Sequence, residues 1–341
     1  MNSSEWEKFS LSTATMSIRL IPALLAGILG LTQCREKPHT VAPSPATTEP
    51  SVTEALLSEF SGERAHQHIA RIIEFGPRPP ASPGLKRTHS YLESTLQSYG
   101  WRCFRQTFRA STPQGEVQFT NLIAKHAAHL DTPSAVVLGG HLDSKMMPYE
   151  FVGANDGGSS TGILLELARV IGSQTKAATG VEFVFFDGEE AFGPNITASD
   201  GLYGSKFYAR ELSTRPVRPR NGIILDIVGD PEFPLLFNPD APEIFQQRVR
   251  EIGRHIEFPG GLEAAPGMII DDHIPLQHAG VPCLHLIGDF TSMDYWHQPG
   301  DTLDKVKPEM LDRVGKLTLE FLYPRKSPGK SAAPEKKAVP N

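Results

Sequence analysis

The chain reads as one three-layer α/β/α domain over about residues 53–324, with a mixed, mainly parallel central sheet. Three observations predict this. Short apolar runs rich in β-branched and aromatic residues alternate with stretches of helical periodicity. Gly/Pro clusters separate them. Several of the apolar runs also end on an acid or a histidine, and in open α/β sheets ligands sit beyond the carboxyl ends of the strands. The clearest run is Val181–Glu190, VEFVFFDGEE, a buried strand that stops at Asp187-Gly188 and presents Glu189 and Glu190. A lone Glu-Glu pair is ordinarily a solvated turn, because burying two carboxylates is costly without a metal, a proton or a partner charge. The other strand ends change that reading.

The elements follow in order. Glu54–Phe75 has helical apolar spacing and stops at Gly76-Pro77. FGPRPPASPG (75–84) is loop, and a helix over Leu85–Tyr99 closes at Gly100. Trp101–Arg109 and Val117–Lys125 alternate as a hairpin around Thr112-Pro113-Gln114-Gly115. Ala135–Gly140 is a buried strand delivering His141 and Asp143. GANDGGSSTG (153–162) is a glycine-rich loop carrying Asp156 and leading into a helix over Ile163–Ile171. After Val181–Phe186 comes an irregular loop, Ala191–Leu202, then a strand Gly222–Leu225 ending in Asp226. A helix over Glu243–Ile256 precedes Asp271-Asp272-His273; Val281–Ile287 is the last core strand, followed by Trp296-His297. Pro308–Tyr323 is an amphipathic final helix.

Length and composition (341 residues, 39% hydrophobic, 21% charged) suit one large α/β domain or two small ones. The net charge is −6, but the tail from Arg325 carries roughly +4 and leaves the body near −10. An acidic body argues against nucleic acid as the partner. No P-loop, Gly-x-Gly-x-x-Gly, Cys-x-x-Cys or Gly-x-Ser-x-Gly occurs. From Met16, MSIRLIPALLAGILGLTQC is one Arg, an apolar run short for a bilayer, and then Cys34. Leu31-Thr32-Gln33-Cys34 resembles a bacterial lipoprotein box, although Gln33 departs from the usual small residue. Residues 1–34 are therefore expected to be an export signal with Met16 as the start. A lipidated Cys34, an ordinary secretory signal and a plain membrane anchor stand as the three forms; each puts the domain outside the cytoplasm, periplasmic or at the cell surface. Residues 35–52 read as a flexible tether and 325–341 as a disordered basic tail. Cys103 and Cys283 could pair or stay as buried thiols.

His141, Glu189, Glu190 and Asp226 all fall at strand ends, within reach of the Asp156 and His297 loops. Asp, Glu and His without thiolate suit zinc with an open coordination position. Asp156, Glu190, His297, His141 and Asp226 are the candidate ligands, too many for one tetrahedral ion. Either two metals bind or some of the five support the site. Glu189, beside a ligand, has the position of a general base or acid.

His141-Leu-Asp143-Ser-Lys145, Phe151-Val-Gly-Ala-Asn-Asp156, Phe185-Phe-Asp-Gly-Glu-Glu190-Ala-Phe192, Leu202-Tyr-Gly-Ser205, Leu225-Asp226, Asp271-Asp-His-Ile-Pro275 and Trp296-His297 resemble, in order, the motifs of glutaminyl-peptide cyclotransferases (glutaminyl cyclases). The likeness runs over roughly residues 60–323 and implies the fold of the zinc aminopeptidase/phosphorylase-hydrolase-like superfamily. It implies one zinc held by Asp156, Glu190 and His297, with Glu189 as proton shuttle. It makes Asp226 and Asp271 a hydrogen-bonded acid pair near the substrate amine, lets Trp296, Ile287 and Phe290 line the substrate pocket, and leaves His141 in support. The implied substrates are peptides or proteins beginning with glutamine, and a monomer is the working expectation. Three departures stand: no tryptophan in Gly193–Gly201, no cysteines flanking His141 or following Asp156, and a divergent GDFTSMDY before Trp296. The alternative is a two-zinc aminopeptidase in which Asp156 bridges two ions and His141 and Asp226 are ligands. A non-catalytic module of the same fold would be expected to have lost a ligand or the base, and neither is lost. Other histidines, among them His68 and His89, are assigned to surface or core, and His285 is expected to be a satisfied buried imidazole.

Overall fold

A computed structural model describes residues 51–325. The expected export signal, nearly all of the tether and the tail beyond Arg325 lie outside the described residues. At the tether's end, Ser51 and Val52 belong instead to the first helix and its cap.

Two helices open the domain where the apolar spacing predicts one. α1 (Val52–Glu59) and α2 (Gly62–Ile73) are separated at Phe60-Ser61. Ser51 caps α1 in a reciprocal box with Glu54, and the Ser61 hydroxyl accepts from Arg64 N to restart the helix as α2. The break turns Phe60 into the core beside the last helix, α8 (Pro308–Leu322). α3 (Pro83–Ser98) starts on a Ser82 cap and leads into a long antiparallel hairpin, β1 (Trp101–Thr112) and β2 (Gly115–His126). Then come β3 (Val136–His141), α4 (Gly158–Gly172), β4 (Val181–Phe186), α5 (Tyr203–Thr214), β5 (Asn221–Asp226), β6 (Leu235–Phe237), α6 (Glu243–His255), β7 (Glu263–Ala264), α7 (His273–His278) and β8 (Cys283–Gly288).

Four of these elements, α5, α7, β6 and β7, are absent from the sequence reading. α5 buries Tyr203, Tyr208, Ala209 and Leu212, a stripe diluted by Gly204 and Ser205. α7 is six residues long with Pro275 inside it, too short to show a period. β6 and β7 have three and two residues at one edge.

The eight strands form one sheet in the order β1-β2-β4-β3-β5-β8-β6-β7. β4, β3, β5 and β8 are mutually parallel, and β2 and β6 join them antiparallel. Alternation along the central strands sends Leu138, Phe183, Phe185, Ile223, Leu225, Leu284 and Leu286 into the core shared with α1–α4, α6 and α8. The opposite set, Val137, Val184, Phe186, Ile224 and Cys283, packs against α5 and α7. Both faces are therefore covered, which is why these strands read as unbroken apolar runs. Cys103 on β1 and Cys283 on β8 are free, with β2, β4, β3 and β5 between their strands, about 24 Å at normal strand spacing. A disulfide needs Cα atoms within about 7 Å, so the pairing left open by the sequence does not form.

Candidate active site

Strand register brings the chemistry together. His141 lies beside Phe186 across β3–β4, and Asp226 beside Ile287 across β5–β8, so all four parallel strands end at one level. Beyond β4 the chain turns at Gly188, whose φ is 74° and where a Cβ would meet Phe119 at 2.4 Å. Asp187 fixes that turn: its N–H donates to Asn121 Oδ1 at 3.0 Å and its carboxylate accepts from Thr120 N at 2.6 Å. Asp143 then accepts the backbone N–H groups of both Glu189 and Glu190 at 3.3 Å.

Asp156 sits just before α4, where Gly157 takes a φ of 72°. Asp301 accepts from Asn155 N at 2.7 Å and from Asp156 N at 3.1 Å, holding the carboxylate of Asp156 over the strand ends. Asn155 ties the same loop to its neighbours, accepting from Gly229 N and donating to Tyr295 Oη, which in turn donates to Asp230. His297 has a left-handed backbone (φ 53°), and its carbonyl accepts from Tyr149 Oη at 2.7 Å. Such a conformation is costly for a non-glycine residue and persists where surroundings enforce it.

The donor atoms of Asp156, Glu190 and His297 lie within 4.8 Å of one another, as do those of His141, Asp156 and Asp226. In the first group His297 Nε2 is 3.2 Å from Asp156 Oδ2 and 3.3 Å from Glu190 Oε1. Those two oxygens are buried with no hydrogen-bond partner. A tetrahedron with its centre about 2.0 Å from each corner has edges of about 3.3 Å, the dimensions of a zinc site. The first group fits zinc on both counts. In the second group, His141 Nε2 already donates to Asp226 Oδ1 at 2.9 Å. Glu190 Oε2 also faces Lys145 Nζ at 3.3 Å.

The electrostatics agree with a cation site. Burial disfavours a charged His297, but Asp156 and Glu190 outweigh it and lift the ring to about 9. His141 is likewise raised well above its usual value, burial being overcome by Asp226, Asp143 and Asp156. A field that strengthens two imidazoles as bases also attracts a divalent cation. Glu189 is pushed well above the carboxylate range, chiefly by burial, with His141 opposing and Asp271, Glu190 and Asp272 adding repulsion. Asp226 rises to about 6, mostly from burial, which His141 offsets only in part. Asp271 is lowered to about 2, because the His285 ring overcomes the effect of burial.

Asp156, Glu189, Glu190, Asp226, Asp271, Ile287, Phe290, Trp296 and His297 all line one cavity of about 210 Å³, and His141 is joined to it through Asp226. That is smaller than the roughly 300–1,000 Å³ typical of drug-sized ligand sites. Trp296 stacks on His297 (ring centroids 4.1 Å apart) and leans on Phe290 (4.7 Å). One expectation needs correction. The described residues contain no hydrogen bond between Asp226 and Asp271, because each acid is engaged elsewhere: Asp226 with His141, and Asp271 with His285 Nε2 at 2.9 Å. His285 is fully buried, facing Asp271 and stacked on His273 at 4.4 Å, but neither ring nitrogen has a hydrogen-bond partner, so the satisfied imidazole expected from the sequence is not found. Sequence reasoning also missed the supporting roles of Asp301, Asp143, Lys145 and Tyr149. An acid four residues after His297 was the available signal for Asp301; nothing pointed to Tyr149.

A covered α/β sheet with carboxylates and imidazoles converging at its strand ends defines a class, α/β enzymes with a site for a divalent cation. The profile of Peptidase family M28 matches residues 121–322. A glutaminyl-peptide cyclotransferase-like protein of Mus musculus is 33% identical over 284 residues, covering 72% of this chain and 71% of that protein. Glutaminyl-peptide cyclotransferase of Gloydius blomhoffii is 31% identical, covering 72% and 76%. Among solved structures, Porphyromonas gingivalis glutaminyl cyclase superposes with a TM-score of 0.71 at 28% identity, over 77% of this chain and 98% of that one. A Zn-dependent exopeptidase from Parabacteroides distasonis gives 0.71 at 26% identity, over 78% and 99%. The chain belongs to peptidase family M28 and, within it, to the glutaminyl-peptide cyclotransferases.

Proposed function

We infer that this enzyme cyclises the N-terminal glutamine of peptides to pyroglutamate with release of ammonia, using one zinc ion held by Asp156, Glu190 and His297. The observation that carries the zinc reading is the pair of orphaned buried oxygens, Asp156 Oδ2 and Glu190 Oε1, at tetrahedral-edge distances from His297 Nε2. Zinc, when bound, would polarise the side-chain amide carbonyl of the substrate. Glu189, kept basic by burial, takes a proton from the attacking α-amine and returns one to the departing ammonia. The C–N bond to the leaving amide nitrogen breaks as the bond to the α-nitrogen closes the lactam ring. Asp271 stays ionised beside His285 and orients the amine, and Asp226 stands next to it as the more basic carboxyl. Trp296, with Ile287 and Phe290, closes the cavity over a short side chain and limits water. Because the attack is intramolecular, orientation supplies much of the rate.

A two-zinc aminopeptidase is the second reading, favoured by the His141–Asp156–Asp226 group. Against it, His141 and Asp226 already satisfy each other at 2.9 Å. Metal analysis after dialysis against trace chelator is expected to give one zinc per chain. Activity that rises as a second ion fills would favour the peptidase. Matched Gln- and Leu-initiated peptides test the reaction itself. Loss of ammonia from the first and an intact second peptide are expected; removal of a whole residue from either contradicts the proposal. Export with a lipid on Cys34 remains part of the proposal, supported by the sequence Leu31-Thr32-Gln33-Cys34. Mass spectrometry of the N-terminal peptide reads it, and an unmodified Cys34 still preceded by Gln33 contradicts it.

A further inference from the structure

Beside the catalytic cavity, a second and larger concavity of about 910 Å³ lies along α5 and α7. The two share Met268 and Ile270 as lining residues, and the loop at Pro194–Ala198 borders both. Ala209 and Ser213 on α5 face Ile274, Pro275 and Ala279 on and just after α7. Lys206, Arg210 and His278 are its charged or basic lining residues, and no acidic side chain lines it among the described residues. Arg210 is exposed and lies over the Phe207 ring at 5.2 Å, with no carboxylate paired to it among the described residues. Met268 and Ile270 are 63% and 57% exposed, large apolar side chains left in solvent where the two concavities meet.

A substrate bound as proposed meets this groove past Met268 and Ile270. Its α-amine and its onward chain depart from the same Cα, and the amine is placed at Asp271, the residue directly after Ile269-Ile270. A smaller concavity of about 240 Å³ also meets the cavity, through Met268, Ile269 and Phe290, but the acidic Asp289 lines it. We propose that the α5–α7 groove seats the substrate residues that follow the glutamine, and that the preferred substrates are extended polypeptide N-termini with an apolar side chain and then an acidic one in those positions. The apolar walls take the first, and Arg210, with Lys206 and His278 nearby, faces the second. The proposal rests on the cyclase reading for its direction of exit, and on the groove's continuity and charge for its chemistry.

The test compares kcat/KM for a glutamine dipeptide amide, an octapeptide continuing with leucine and glutamates, and the same octapeptide with lysines for glutamates. The acidic octapeptide is expected to exceed the dipeptide about tenfold, from apolar burial net of ordering costs. It should exceed the lysine octapeptide about fivefold, the scale of an exposed charge contact. Arg210→Glu should reverse the order of the two octapeptides, read as ratios to the dipeptide so that any general loss cancels. Equal efficiency for all three peptides, or an order that Arg210→Glu does not change, overturns the groove. If no peptide is cyclised, the cyclase reading fails and fluorescence anisotropy of labelled octapeptides decides the groove separately. Tighter binding of the acidic octapeptide, reversed in Arg210→Glu, supports it; indifference to charge overturns it.

Discussion

Glu189 and Glu190 are adjacent in sequence yet face different chemistry, and the difference comes from geometry rather than residue type. Glu190 points an orphaned oxygen at His297, whereas Glu189 lines the cavity with its carboxyl driven upward by burial and by neighbouring acids. Glu189→Gln keeps the shape and removes the titrating proton. It is expected to retain zinc and lose about 10²–10⁴ in kcat, the usual worth of a general acid–base. Glu190→Gln should instead lower zinc affinity. Zinc titration of both variants beside turnover separates these effects, and equal zinc loss in both would show the pair misassigned. The acids were legible in sequence because a charged residue ending an apolar run conflicts with its surroundings, and that conflict is visible at one position. The supporting contacts of Asp143, Asp301 and Tyr149 were not, because they fall on backbone N–H and C=O groups that sequence does not place.

Among the elements, β4 was readable to its ends because six buried residues in a row admit few alternatives. α5 and α7 were not, since their stability comes from packing on the sheet's second face rather than from their own periodicity. The α1–α2 break was hidden for a related reason: Phe60 fits the helical spacing, and only the tertiary position of α8 shows why the chain turns there. That contact gives a stability prediction. A Cβ on Gly315 would lie 1.9 Å from the Phe60 ring. Ala is favoured over Gly in a helix by about 1 kcal/mol, but overpacking a core costs about 1–3 kcal/mol, so Gly315→Ala should destabilise. Denaturant melts should show this, with partial recovery when Phe60→Leu is added. α2 and α3 carry a pH dependence as well. His68 Nδ1 meets Tyr91 Oη at 2.6 Å, and burial, aided by Arg169 and Arg64, lowers the ring to about 4. The unfolded ring titrates near 6.5, so its stabilisation is complete above that pH and is lost as pH falls towards 4. His68→Gln should therefore flatten the decline in unfolding midpoint over that window; an unchanged decline would contradict the assignment.

For the whole molecule, the site exists only when the sheet is assembled. Its residues come from the ends of β3, β4 and β5 and from the loops before α4, before α7 and after β8. Asn155, Gly229, Asp230, Tyr295 and Asp301 brace the loops before α4 and after β8 to each other and to the turn after β5. Rigid placement of this kind suits a reaction whose nucleophile is already part of the substrate, because orientation then replaces the capture of a second reactant. A peptidase with the same carboxylates and imidazoles would need to hold and activate water. The central claim is that the substrate's own amine attacks and water does not. Turnover of a glutamine-initiated peptide in water labelled with heavy oxygen tests it most directly. The account predicts a product that has lost one ammonia and carries no label; a product carrying labelled oxygen, whether as N-terminal glutamate or as a cleaved residue, would contradict it.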